Sequence, residues 1–206
     1  MKSTVALFLS LFAAAVSAQE LAPDAQVKKI AGDVIAIARQ DKDIRAGNQV
    51  RINELIETQV LPHFDFGRMT ALAVGRNWSK ASAEQQKALI AEFRTLLVRT
   101  YSSALSAYRD QVIEFKPLRS AAGEDEVTVR SQIRQAGAAP ISIDYSMQKT
   151  GSGWKIYDVV VGGVSLVTNY RENFNAEIRE HGLDGLIRTL AARNRAKEAS
   201  AGPRAG

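Results

Sequence analysis

The sequence predicts a single α+β domain in which several helices pack on one curved, four-stranded antiparallel sheet. Three observations predict it. Apolar residues recur at helical spacing up to Tyr108 and again from Val164, and four runs with a two-residue period lie between them. The turns between those runs are too short for helical crossovers, so neighbouring strands should be antiparallel.

Taken in order, residues 1–18 carry one cation at Lys2, an apolar stretch from Val5 to Val16 and small residues at Val16-Ser17-Ala18. This is the pattern of a secretory signal peptide cut after Ala18. Elsewhere the chain has nothing near the roughly 20 apolar residues of a membrane span, so the remainder is expected to be exported and soluble. Residues 19–198 then read as one domain, with 199–206 a disordered tail rich in Gly, Pro and Ala.

Val27, Ile30, Val34 and Ile37 give a helix from Pro23 to about Gln40, and a second helical stretch from Val50 to Val60 is ended by Pro62. Asp65 can cap a short helix running to Gly75. Ser82 with Gln85 has capping-box spacing and opens the longest periodic segment, through Leu89, Phe93, Leu96, Leu97, Tyr101, Leu105 and Tyr108. At about 26 residues this helix would be about 39 Å long.

The strand runs are Val112–Leu118, Glu126–Arg134, Ile141–Gln148 and Trp154–Val161. From Val164 the period is helical again, stopping at Gly182, and a last helix takes in Leu183, Leu186, Ile187 and Leu190. Most informative is the run from Trp154 to Arg171. Trp154, Ile156 and Val160 are apolar at even positions and Tyr157, Val159 and Val161 at odd ones, so both strand faces are expected to need apolar partners. Gly162-Gly163 then reads as a hinge into the next helix.

Composition narrows the function. The chain has 27 basic and 22 acidic residues, with the charges interspersed and no aromatic-glycine motif of an RNA reader, which argues against nucleic-acid binding. With no cysteine, disulfides, thiolate chemistry and zinc clusters are excluded, and an exported protein without disulfides points to a bacterial periplasm.

Catalytic parts are few. His63 and His181 are far apart, in neither an HExxH nor an HxH arrangement, and read as helix-end residues. Ser165 sits where a nucleophile elbow would, yet Gly163-Val164-Ser165-Leu166-Val167 lacks the second glycine of G-x-S-x-G, so a helix cap is the simpler reading. Asp144 and Asp158 could be raised-pKa bases, or carboxylates bonded to backbone or arginine. Gly151-Ser152-Gly153 is a hairpin turn without the lysine of a phosphate loop. No catalytic or metal-ligating set is expected.

What remains is apolar surface, and here the ordered motifs resemble a known family. Phe64-Asp65-Phe66 with Met69, Trp78 before the Ser82 cap, Phe93 to Tyr101, Pro140 to Tyr145, and Trp154-Lys155-Ile156-Tyr157-Asp158 through Gly163-Val164-Ser165-Leu166 to Tyr170-Arg171 are similar to the MlaC-like, or toluene-tolerance, family of periplasmic phospholipid carriers. The resemblance spans Val27 to Leu190. It implies an α+β fold, NTF2-like in outline, around a deep apolar pocket for acyl chains. It also implies a shuttle of glycerophospholipid between an outer-membrane lipoprotein–porin complex and an inner-membrane ABC transporter with a lipid-binding periplasmic subunit. Phospholipid is then cargo, with no cofactor.

Periodicity nominates the lining. Phe93, Leu97 and Tyr101 come from the long helix, Tyr145 and Val160 from the strands, and Val167, Tyr170 and Phe174 from the helix after Val164. Phe66, Met69, Leu72, Trp78 and Val164 are nominated with them. Two alternatives stay open: an esterase-like hydrolase using Ser165, and an interaction or chaperone module whose apolar faces are only core.

Overall fold

The structure is a computed structural model describing residues 21–102, 111–119 and 123–200. The expected signal peptide, the last turns of the long helix and residues 201–206 of the expected tail lie outside the described residues.

Helix α1 (Pro23–Gln40) begins with proline in its first turn and buries Val27, Val34 and Ala38. Two short helices, α2 (Lys42–Arg45) and α3 (Gln49–Leu55), follow the side-chain caps Asp41 and Asn48, each of which accepts from two backbone N–H groups. The stretch expected as one helix is not uniform. α3 widens into a π turn (Ile56–Val60) and tightens into a 3-10 turn (Leu61–His63), where Pro62 cannot donate the next ladder bond.

Helix α4 (Phe66–Val74) is capped by Asp65, whose carboxylate accepts from the Arg68 N–H at 2.8 Å, and ends at Gly75 with φ 63°. α5 (Ala83–Tyr101) carries the expected capping box, Ser82 and Gln85 each bonding the other's backbone. α6 (Thr168–Ser200) is broken at Gly182, where φ 70° and ψ −176° suit only glycine, so the predicted stop falls at the expected residue.

The strands β1 (Val112–Phe115), β2 (Glu126–Arg134), β3 (Ile141–Thr150), β4 (Gly153–Val161) and β5 (Val164–Ser165) form one antiparallel sheet in chain order. β1 stops short of the expected Leu118 because Pro117 cannot continue the ladder. The fifth strand arises because Gly162 and Gly163, at φ 57° and 87°, make a two-residue turn that returns Val164 opposite Val161. The expected hinge is therefore a hairpin turn.

The register of β4 corrects the reading of two apolar faces. Ser146 pairs with Asp158 and Met147 with Ile156, so Tyr157 is an extra residue bulged from the ladder. A one-residue insertion exchanges the faces. Trp154 and Ile156 before it, and Val159 and Val161 after it, therefore point to the same side as Val129, Tyr145 and Met147. Buried positions obey this rule, and Val160 is left on the opposite face.

The bulge is held from outside. The Arg68 guanidinium lies 3.6 Å from the Tyr157 ring centroid and pairs with Glu126 at 2.8 Å, while the Tyr157 hydroxyl donates to the same carboxylate at 3.0 Å. The β4 edge is covered at Ile156, whose carbonyl accepts from the Asp65 N–H at 2.8 Å.

Three apolar clusters result. One joins α4, α5 and α6 around Phe93, which meets Tyr170 and Phe174 edge-on at centroid distances of 5.2 Å. A second sets Val27 of α1 on the sheet face of Val129, Met147, Trp154 and Ile156. The third ties α1 and α2 to α3 and the π turn.

Asp158 fastens β4 to the hairpin and to α6. Its carboxylate accepts from the Val159 N–H at 2.8 Å, the Ser165 hydroxyl at 2.6 Å and the Val167 N–H at 3.2 Å, and Ser165 Oγ accepts from the Thr168 N–H at 3.0 Å. Asp158→Ala leaves these donors without an acceptor, and a loss of about 2–3 kcal/mol is expected in urea unfolding. Asp158→Asn should lose less.

His63, half-buried beside α1, has its Nδ1 3.4 Å from Gln26 Nε2. Burial pushes its imidazole pKa below the ordinary 6.5, and Lys155 and Lys29 push the same way. As pH falls below about 6.5 the unfolded chain takes up this proton before the folded one, so the His63 contribution is present above that pH and lost below it. His63→Gln is expected to flatten that decline when urea midpoints are compared from about pH 7.5 to pH 5.

Candidate functional site

A pocket of about 300 Å³ lies where the three clusters meet. Each cluster packs within itself, and their junction is unfilled. One wall is Val34 of α1 with Ile56, Val60 and Leu61 of the π and 3-10 turns. The π turn gives this wall its breadth, because five-residue bonding widens the backbone ring and spreads the side chains that face inward.

A second wall is formed by Phe64, Phe66 and Met69 at the start of α4 and Leu97, Val98 and Tyr101 at the end of α5. Phe64 and Phe66 stack at 5.8 Å. Behind them Arg94 lies 5.8 Å from the Phe66 ring and pairs with Glu57, tying α5 to the π turn. The third wall is sheet: Ile143 and Tyr145 of β3, and Val159 and Val161 of β4, with Leu166 just beyond β5.

The lining is almost entirely hydrocarbon. Hydroxyls come from Tyr101, Ser102 and Tyr145. Ser102 accepts from Gln49 Nε2 at 3.3 Å, and burial pushes the Tyr145 and Tyr101 phenols above their ordinary pKa, so both are neutral donors or acceptors at physiological pH. Tyr101 and Val161 are 38% and 37% exposed and mark the mouth, with Ile141 and Val164 exposed beside Val161 at the same end of the sheet.

Of the residues nominated from sequence, Phe66, Met69, Leu97, Tyr101 and Tyr145 line this pocket. Phe93, Val167 and Phe174 are buried in the helical cluster instead, with Leu72, Trp78 and Tyr170 packed against it. Helical spacing identified an inward face without distinguishing residues aimed at α6 from those aimed at the sheet. Val160 lies on the far face of β4 because of the bulge, and Val164 is exposed on β5 because the chain forms a strand there.

The lining residues passed over share two origins. Val159 and Val161 are hidden by the parity change at Tyr157, which is readable only once the pairing is known. Val34, Ile56, Val60 and Leu61 do show in the sequence as helical-period apolar positions, although nothing local indicates that they face a void.

The residues weighed for catalysis are dispersed. Ser165 donates to Asp158 and caps α6, with no histidine among its hydrogen-bond partners. Asp144 faces Arg130 in register, 3.8 Å from its Nε, and His181 Nδ1 is 3.1 Å from Glu177. Among the described residues no group of three His, Asp or Glu is placed to hold a metal, and no helix is long and apolar enough to cross a membrane.

Comparison with known proteins agrees with this geometry. A family model described as MlaC protein matches residues 28–192. The intermembrane phospholipid transport system binding protein MlaC of Haemophilus influenzae is 28% identical over 153 residues, covering 73% of this chain and 71% of that protein. The toluene tolerance protein ttg2D of Pseudomonas putida is 26% identical over 51% of this chain and 48% of its own length. A solved phospholipid-binding protein from Ralstonia solanacearum, in complex with a phospholipid, is 38% identical with a TM-score of 0.79, covering 85% of this chain and 98% of that one. With the family model spanning most of its length, and an α+β fold shared with a phospholipid-binding structure, this chain belongs to the MlaC family.

Proposed function

We infer that the protein is an exported phospholipid carrier, cut after Ala18, that holds acyl chains in the pocket between the sheet and the helices. The observation that carries this reading is the lining itself: hydrocarbon from three walls, three hydroxyls, and an apolar rim at the mouth. At about 300 Å³ the pocket is at the lower end of small-molecule sites. The relatives' names, one for intermembrane phospholipid transport and one for phospholipid binding, support the same class of ligand.

Transit explains the need for such a pocket. At about 0.8 kcal/mol per methylene, an acyl chain exposed to water carries a penalty on the order of 10 kcal/mol, which apolar walls remove for the methylenes they enclose. The carrier is proposed to exchange glycerophospholipid between an outer-membrane lipoprotein–porin complex and an inner-membrane ABC transporter with its lipid-binding subunit. A passive carrier has no direction of its own, so net flow follows the relative affinities and energy input of those partners. No reaction step is proposed for the pocket, where no nucleophile with an adjacent base is present among the described residues.

Mass spectrometry of an organic extract of the purified protein should find phospholipid, and its absence across expression hosts would refute this reading. Val161→Asp, placing a charge at the mouth, is expected to lower bound phospholipid per protein about tenfold while the melting temperature moves by only a few degrees. Leu97→Lys should lower both, because Leu97 also belongs to the helical cluster.

Ser165→Ala separates the carrier from the hydrolase reading. It should retain phospholipid and transfer it between donor and acceptor vesicles at the parent rate, at a stability cost of about 1 kcal/mol from the lost cap. Ester hydrolysis by the parent protein that disappears in this variant would reverse the assignment.

A further inference from the structure

A second cleft, about 800 Å³ and open to solvent, lies between the end of α4 and the first half of α6 and shares no lining residue with the apolar pocket. Thr168, Arg171, Glu172, Asn175 and Arg179 recur at three- and four-residue steps and form one stripe of α6. Leu72, Gly75 and Arg76 stand on the other wall.

The cleft is built rather than incidental. Arg171 Nε donates to the Leu72 carbonyl at 3.0 Å, which holds this guanidinium against the end of α4. Asn77 Nδ2 donates to Asn175 Oδ1 at 3.0 Å and fixes the separation of the walls. A Cβ added at Gly75 would meet nothing within 4 Å, so space is open beside that wall.

Its charge is unbalanced. Among the described residues Arg76, Arg171 and Arg179 have no carboxylate partner, and Glu172 is the acid of the lining. Three guanidiniums against one carboxylate leave a positive cleft.

The spacing decides between ligands. Arg171 and Arg179 are eight residues apart on one helix, or about 12 Å, which a single phosphate cannot bridge, and Glu172 between them disfavours a compact dianion. An extended polypeptide with carboxylates on alternate residues repeats about every 7 Å and can meet more than one guanidinium at once.

We propose that this arginine cleft between α4 and α6 is a docking site for an acidic, extended segment of a partner protein, separate from the apolar pocket and independent of what that pocket holds. Arginine is the fitting residue, because its planar fork binds carboxylates through paired hydrogen bonds.

The test uses the full exported chain and a fluorescein-labelled peptide of about twelve residues with Glu at alternate positions and two central leucines. Anisotropy titrations at low salt should give binding that Arg76→Ala with Arg179→Ala weakens about tenfold. Lys28→Ala with Lys87→Ala removes the same net charge elsewhere and should change affinity less than about twofold. Arg76→Lys with Arg179→Lys keeps the charge but loses the fork, and should fall between them. Amide shifts on peptide addition should concentrate at residues 71–76 and 168–179. Equal loss in both alanine pairs, or shifts concentrated elsewhere, would overturn the proposal. So would displacement of the peptide by phosphatidylglycerol vesicles or inorganic phosphate, with the cleft variants losing that binding too, since the site would then be for a membrane or for phosphate.

Discussion

One inserted residue governs how this protein is put together. Without Tyr157 outside the ladder, β4 would keep a single parity, and either Trp154 and Ile156 or Val159 and Val161 would turn to the outer face. Because the faces exchange midway, one strand supplies core at one end and pocket wall at the other. The network of Arg68, Glu126 and Tyr157 on the outer face holds the insertion in place, so a polar surface cluster determines the shape of an apolar interior.

The pocket is the space three well-packed clusters fail to share. Phe93, Tyr170 and Phe174 close the helical cluster with edge-on rings, and Val27 closes the sheet cluster from α1. α3 and its π turn then face both across a gap. Rigid branched side chains on the sheet and a widened helical turn opposite resist collapse into that gap, which a uniform helix with flexible side chains would resist less. Polar groups work at the ends of elements instead. Asp158 gathers β4, the hairpin and α6 on one carboxylate, and binds the Ser165 hydroxyl that a hydrolase would keep as its nucleophile.

Much of this was legible in the sequence. Periodicity located α1, α5 and the β2–β4 meander, and local chemistry located the Ser82 box, the Asp65 cap that opens α4 and the break at Gly182. The failures are of one physical kind. Composition shows that Phe93 or Val160 is apolar, while its neighbour depends on pairing register and on which helix lies across from it. The same long-range dependence made the Trp154–Val161 run look buried on both faces, and hid Val159 and Val161 as pocket walls. The β5 hairpin was missed because two glycines can end a strand or reverse it, and only the pairing of Val161 with Val164 distinguishes these.

The three hydroxyls of the pocket have a consequence for selectivity. A lining of hydrocarbon with neutral Tyr101, Ser102 and Tyr145 offers no formal charge with which to sort zwitterionic from anionic molecules. Discrimination inside such walls can act on girth, length and branching, at about 0.8 kcal/mol for each methylene that fits or is left outside. Walls of this kind gauge shape and do not read formal charge.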